Sequence, residues 1–542
     1  MDTIYYGGSI LTMEEKGDRP EAVLVKKGVI AKTGSLREVM DAAGSSVKKV
    51  NLEGKCLMPG FIDPHGHITM NGQMSLCADL SGCTSFEDIV SVMKAFIERE
   101  KLTEKNAAIG FGYDHNFLKE QAHPGKAVLD QVSKGIPILI LHVSGHLGCA
   151  NSPMLKTAGI DANTPDPSGG KIGRIGDSQE PDGYLEEAAM MQVQGSIAKR
   201  IKIDLIKMLK AMQQVYIENG ITTAQDGASN AMGMKMLKAA NTLGFLKIDV
   251  VAYPLISDGG KALIGKNKQL VGDYKKHLKI GGYKMLLDGS PQGRSAWMTE
   301  PYLGGDPDYC GYPWISDEEA EKYALQAVNE GRQLLAHCNG DAAGDQFLRA
   351  YEKALEKSTN SDKDKLRPVM IHCQTARCDQ LDKMAEIGMI PSIFVGHVYY
   401  WGDIHLKNFG EVRGNHISPV KDALDRGLCI NFHQDPPVTK PNMMHSVWCA
   451  VNRISREGKV IGEDQKIDVY DALKAITING AYAYFEEDSK GSLKEGKRAD
   501  MVILDRNPLE TDVMELKDIK VVETIKDGKT VYKRAEKDCI SA

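Results

Sequence analysis

The sequence predicts an α/β protein: a TIM-type (β/α)8 barrel with a small β-sandwich built from both chain termini and a long insertion after barrel strand one. Three observations predict it. Eight short apolar runs alternate with amphipathic helical patterns along the middle of the chain. The two ends are made of short strand-like runs and glycine turns, and neither end has enough apolar residues for a core alone. Between the first apolar run and the second lies a long stretch with strands of its own.

At the N-terminus, residues 3–6, 9–13, 22–26, 28–33 and 48–52 read as strands, with tight turns at Gly7-Gly8 and Lys27-Gly28. Residues 501–504, 520–525 and 530–532 read the same way at the other end. Pairing 1–56 with 488–542 gives both ends one core. The run Cys56-Leu57-Met58 opens the first barrel strand, which leads to His65. The insertion, 72–200, holds a strand at 136–143 and is expected to roof the barrel mouth. An amphipathic helix over 205–217 leads into the second strand at 221–224. The barrel, 57–71 plus 201–487, continues through strands at 248–253, 279–287, 333–336, 369–371, 390–394 and 429–432. Helices at 317–329, 341–357, 379–387 and 421–426 fall between them.

Composition narrows the function. A chain of 542 residues can bury a large core and hold more than one domain. Apolar content of 42% and charged content of 26% are those of a soluble globular protein. The net charge is −6, and no Lys/Arg tract is interleaved with aromatics, which argues against nucleic acid. The N-terminus has no basic start followed by an apolar stretch, and the longest apolar run, 136–141, is too short to span a bilayer. Eleven cysteines, an odd number without a CxxC pair, read as buried free thiols in a reducing compartment. A cytoplasmic location is expected.

The chemistry is carried by histidines. In Pro59-Gly60-Phe61-Ile62-Asp63-Pro64-His65-Gly66-His67, side chains two apart on a strand share a face, so His65 and His67 aim at one point. Two neutral imidazoles make half of a site for zinc or a similar metal. Lys284, His337, His372 and Asp435 stand at or just past the ends of later strands. Singly, each has an ordinary structural explanation. Barrel closure brings all six to one opening, where such barrels place their chemistry.

These residues lie in motifs: PGFIDPHGH (59–67), HVSGHLGCANS (142–152), GITTAQDGA (220–228), KMLLDGS (284–290), HCNGDAAGD (337–345), HCQTA (372–376), HQDPPV (433–438), TINGAYAY (477–484) and GSLKEGKRADMVILDRNP (491–508). In this order they resemble the amidohydrolase superfamily, which contains urease, dihydroorotase and hydantoinase. The branch most resembled is that of N-substituted formamide deformylase and related metal-dependent amidases. The resemblance covers nearly the whole chain; HQDPPV departs from the small-Ser-Asp-Ala-Pro pattern commoner in this branch.

What the resemblance implies is a centre for two divalent metals, zinc first, with manganese, iron or cobalt as the other candidates. His65 and His67 would hold the more buried ion, His337 and His372 the more exposed one, and carbamylated Lys284 would bridge them. Asp435 would be a further metal ligand or touch the metal-bridging hydroxide, accept its proton and pass it to the leaving nitrogen of an amide or N-formyl/N-acyl amine. Asp288 and Asp341 read as residues that orient ligands from behind or cap helices. Tyr113, Asp114, His142, His146, Gln292 and Arg294 are the candidate substrate contacts, with His146 also a candidate for polarising the substrate. His397 and His433 read as structural. The partner is a small-molecule amide, and relatives suggest a homodimer. Two rival readings stand: a heterocycle deaminase, which would need a glutamate soon after strand five where Cys338-Asn339-Gly340-Asp341 has none, and a non-catalytic regulatory protein on the same fold.

Overall fold

A computed structural model describes residues 2–143, 147–167 and 170–535. The chain divides into two compact units, 1–69 with 213–542, and 70–212. The boundary falls inside the stretch expected as one helix over 205–217. That stretch is two helices, Leu205–Ala211 and Gln214–Glu218. Between them, the Gln213 side chain accepts the backbone N–H of Lys247 at 2.7 Å.

The larger unit is α/β and TIM-barrel-like. Phe61–Ile62, Ile221–Ser229, Asp249–Pro254 and Leu278–Ile280 form a parallel sheet in chain order. Gly282–Leu286, Gln333–Cys338, Val369–His372, Ile390–Ile393 and Asn431–Phe432 form a second one, also parallel and in chain order. A parallel bridge from Leu255 to Lys284 links the two. The run expected as one strand over 279–287 is therefore two half-strands, broken at Gly281. The Tyr253 ring lies so close to Gly281 that any side chain there would collide with it. Near-continuous burial along these strands reflects cover on both faces. The helices Asp317–Asn329, Asp341–Lys357, Cys378–Glu386 and Val420–Asp425 lie near their expected positions. Helix His397–Asn415, kinked at Gly410, was not anticipated.

The chain ends build two further sheets. Val29–Gly34, Ala22–Lys26, Thr3–Tyr6 and Lys48–Asn51 form one; Ser9–Ile10, Cys56–Pro59, Met501–Leu504, Val521–Lys526 and Lys529–Lys533 form the other. Tyr5, Val23 and Ile30 from the first pack with Leu57, Met501, Ile503 and Ile525 from the second in a single apolar cluster. The run from 56 to 65, expected as one strand, thus serves two sheets. Cys56–Pro59 pairs antiparallel with Met501–Leu504, and after Gly60 the chain enters the parallel sheet at Phe61–Ile62.

The inserted unit is a six-stranded mixed sheet in the order Gly170–Arg174, Pro181–Glu187, Leu147–Ala150, Ile138–His142, Ala108–Tyr113, Ala78–Asp79. Its central strand reads Ile-Leu-Ile-Leu-His, buried throughout. Period-two alternation sends Ile138 and Ile140 into a core with Ile89, Met93 and Phe96 of helix Phe86–Glu100. Leu139 and Leu141 enter a second core with Met154 and Leu155 of helix Ser152–Ala158. Each such side chain contributes about 1.5–3 kcal/mol by leaving water. Among the described residues, no helix is long and apolar enough to cross a membrane, and the ten cysteines are free.

Candidate metal centre

His65 and His67 do not sit on a named strand. The ladder ends at Ile62; His65 lies in the bend at Pro64-His65, and His67 makes an isolated antiparallel bridge with Asp226. Their convergence comes from anchoring instead of pleat. The Asp63 carboxylate accepts the His65 backbone N–H at 3.3 Å. His65 Nδ1 lies 2.7 Å from Gln225 Oε1, whose amide nitrogen donates to Pro64 O at 2.6 Å. His67 Nδ1 lies 2.6 Å from the carbonyl of Gly227. Both partners can only accept, so each Nδ1 carries the proton and each Nε2 presents a lone pair.

The two Nε2 atoms stand 3.4 and 3.3 Å from Asp435 Oδ1. That oxygen is buried without a hydrogen-bond partner. Two imidazole nitrogens thus face one carboxylate oxygen, each at a separation near the edge of a zinc tetrahedron, about 3.3–3.4 Å for bonds of about 2.0–2.1 Å. Such a pocket fits a cation. Lys284 Nζ is 3.4 Å from His65 Nε2, and the residue is only 1% exposed. Burial lowers its pKa to about 7, so near neutral pH a large share is the free amine.

On the far side, His372 Nε2 lies 3.1 Å from His337 Nδ1 and 4.0 Å from Asp435 Oδ2. One carboxylate therefore addresses both pairs of histidines. His372 (φ 73°) and Asp435 (φ 52°) are held in the left-handed region, strain of the kind found where side-chain direction matters. Burial pushes the imidazoles of His65 and His372 well below their ordinary value and that of His337 to about 3, with Lys284 adding to all three. For His67 burial acts in the same direction, but the Asp435 carboxylate outweighs it and raises the pKa.

The remaining expected residues are more dispersed. Asp288 accepts the backbone N–H groups of Trp297, Asn339 and Gly340 at 3.0, 3.0 and 2.7 Å, which fixes the loop after His337. Asp341 does not reach the histidines; it accepts from Thr299 N at 2.9 Å and pairs with Arg377 at 3.2 Å. Arg294 is engaged by Asn408 at 2.9 Å and the Gly304 carbonyl at 3.2 Å, and Gln292 Oε1 is buried without a partner. Tyr113, Asp114 and His142 belong to the inserted unit. Tyr113 is fully buried there, its hydroxyl 3.0 Å from His123 and 3.3 Å from Cys149, so it packs and does not present its hydroxyl outward. His146 lies outside the described residues.

Sequence reasoning missed Gln225, Gly227 and the role of His433. His433 is fully buried, its Nε2 3.1 Å from His372 Nδ1 and its Nδ1 3.0 Å from Ser392 Oγ. Gln225 and Gly227 stand in GITTAQDGA, at the end of the neighbouring strand; polar residues at that end were the available signal.

Fold and centre together define a TIM-barrel-like metal-dependent hydrolase. The chain belongs to the Amidohydrolase family, whose model matches residues 48–532. It is 28% identical to the Bacillus subtilis (strain 168) protein YtcJ over 99% of this chain and 100% of that one. It is 27% identical to N-substituted formamide deformylase of Arthrobacter pascens, over 98% of each chain. Among solved structures, an uncharacterized metal-dependent hydrolase from Pyrococcus horikoshii OT3 superposes with a TM-score of 0.74 at 23% identity, over 95% of this chain and 99% of that one.

Proposed function

We propose that this protein hydrolyses a carbon–nitrogen bond other than a peptide bond, in an amide or N-formyl/N-acyl amine, at a centre of two divalent ions. The observation that carries the reading is the convergence of two imidazole Nε2 atoms, of His65 and His67, on the partnerless Asp435 Oδ1. His65 and His67 hold one ion and His337 and His372 the other, zinc being the ion that imidazole and carboxylate donors suit best. Lys284 would serve both ions as a carbamate, because its buried free amine is the form that captures carbon dioxide. The parallel sheets close into one eight-stranded barrel, and the two terminal sheets form a β-sandwich.

When bound, the ions supply an acidified water and polarise the scissile carbonyl. Asp435 takes the proton on one carboxylate oxygen and delivers it to the departing nitrogen, which leaves poorly unless protonated. Gln225 and the Gly227 carbonyl keep His65 and His67 in the tautomer that offers Nε2. The strained backbone at Asp435 keeps its carboxylate between the histidine pairs. Gln292 and Arg294, on the loop after the fourth strand, are positioned for substrate contact; the unpartnered Gln292 Oε1 is an acceptor for an amide N–H. Asp341, committed to Thr299 and Arg377, leaves the deaminase reading without its acid after strand five. The free cysteines are consistent with a cytoplasmic location.

The test is elemental analysis of protein purified without chelators and supplied with bicarbonate, coupled to a hydrolysis screen of N-formyl and N-acyl amines. Two divalent ions per chain with amine release are expected. No bound metal after zinc or manganese is added back would overturn the proposal.

A further inference from the structure

A second cluster of metal-type donors lies wholly inside the inserted unit. Ala108–Tyr113 and Ile138–His142 are adjacent parallel strands, with Tyr113 opposite His142. The residues at and just past their C-terminal ends are His142, Asp114 and His115. In parallel sheets this end is where ligands are usually bound.

The three donor atoms form a tight triangle. His115 Nδ1 is 3.2 Å from His142 Nε2, His142 Nε2 is 3.5 Å from Asp114 Oδ1, and His115 Nδ1 is 3.8 Å from the same oxygen. The carboxylate is too far from either imidazole for a good hydrogen bond. Yet a point equidistant from the three atoms lies about 2.0 Å from each, the length of a zinc bond to imidazole or carboxylate.

The surroundings hold the triangle in place. Asn116 donates to Asp114 Oδ1 from both its backbone and its side-chain nitrogen, each at 2.9 Å, which fixes the carboxylate. The His123 ring stacks on His115 at 4.1 Å between centroids, and its Nδ1 is 3.0 Å from the Tyr113 hydroxyl. His142 continues the face of Ile138 and Ile140, so its backbone is set by the buried centre of the sheet. The side chains of Asp114, His115 and His142 are 18%, 29% and 8% exposed, which leaves an approach for solvent on the His115 side.

We propose that Asp114, His115 and His142 bind one divalent cation, zinc, through two imidazoles and one carboxylate, with a coordination position left open. Three protein ligands and an open position are the pattern of zinc sites that exchange water or an anionic or carbonyl ligand, and ferrous iron is the other ion such a donor set accepts. In this reading Asp114 and His142 act on a ligand through the ion and not by direct contact.

The experiment is zinc stoichiometry of the full chain by equilibrium dialysis and elemental analysis, in wild type, His115→Ala, Asp114→Asn and a His65→Ala/His337→Ala variant. Circular dichroism and thermal melts of each form establish folding; His115, the most exposed of the three, can be replaced with least disturbance. The expected result is one zinc equivalent fewer in His115→Ala and in Asp114→Asn than in wild type. One equivalent should persist in the His65→Ala/His337→Ala variant. Equal zinc content in wild type, His115→Ala and Asp114→Asn would overturn the site, whatever happens at the other centre. Loss of all zinc from the folded His65→Ala/His337→Ala variant would overturn it as well. Failure of the binuclear centre would appear separately, as unchanged stoichiometry in that last variant.

Discussion

Replacing His433 with leucine should weaken metal binding without unfolding the protein. His372 Nε2 faces Asp435, so a metal at that atom requires the proton to sit on Nδ1. Nδ1–H then donates to His433 Nε2 at 3.1 Å, and His433 in turn donates from Nδ1 to Ser392 Oγ at 3.0 Å. Burial keeps His433 well below its ordinary pKa, with Lys284 adding to the effect, so it stays neutral and can accept. Leucine fills a similar volume but accepts nothing, and leaves the His372 N–H unpaired in a buried site, at a cost of about 1–3 kcal/mol. Removing such a partner behind a metal ligand typically lowers affinity about 10–100-fold, roughly 1.4–2.8 kcal/mol, so the two estimates agree. Competition between the protein and a chromophoric zinc chelator at neutral pH reads this directly, with melting of the metal-free forms as the fold control. A His433→Leu variant that melts like wild type and holds zinc within about twofold of it would refute the reasoning, since that gap is under about 0.5 kcal/mol.

Three further outcomes are expected. Asp435→Asn should retain metal while hydrolysis falls about 10²–10⁴-fold, the usual contribution of a positioned proton acceptor; kcat/KM with bound metal measured on the same sample checks it, and unchanged turnover would remove Asp435 from the mechanism. Bicarbonate-assisted metal uptake should rise with pH through about 7, because only the neutral Lys284 amine captures carbon dioxide, and Lys284→Met should abolish the dependence; metal content measured across a pH series decides it. Asp249→Ala should cost about 3–5 kcal/mol, because it strips a buried carboxylate from Lys490 at 2.6 Å, Lys526 at 2.7 Å and Arg498 at 3.1 Å. Burial alone would raise the Asp249 pKa, but Lys490 and Lys526 hold it well below the ordinary carboxylate value. The stability it supplies is therefore full above about pH 5 and is lost as pH falls further through the depressed value, so the gap to Asp249→Ala in denaturant melts should close only in acid.

The alternation of apolar runs and helices was legible because burial on both faces leaves a continuous hydrophobic signal, as in Val369–His372. The histidines at the strand ends could be read for the same reason: a polar residue terminating such a run is conspicuous. What stayed hidden depends on contacts between residues far apart in the chain. The break at Gly281 follows from the Tyr253 ring, and the directions of His65 and His67 follow from Gln225 and Gly227, some 160 residues away. His433 read as structural because nothing near it in the sequence shows that its ring meets His372. Asp114 and His142 could be picked out as candidates, but the pairing of two strands was needed to put His142 beside His115 and complete the donor triangle.

Gly60 is the single residue between a strand held by the C-terminal sheet and the strand that leads to His65 and His67, and the Thr222 side chain leaves no room for anything larger there. The terminal sheets are therefore no detachable accessory. Cutting the chain before Met501 would release Cys56–Pro59 from its antiparallel neighbour and loosen the bend that aims both imidazoles. The geometry around His65 and His67 thus depends on strand pairing made by the chain's far end.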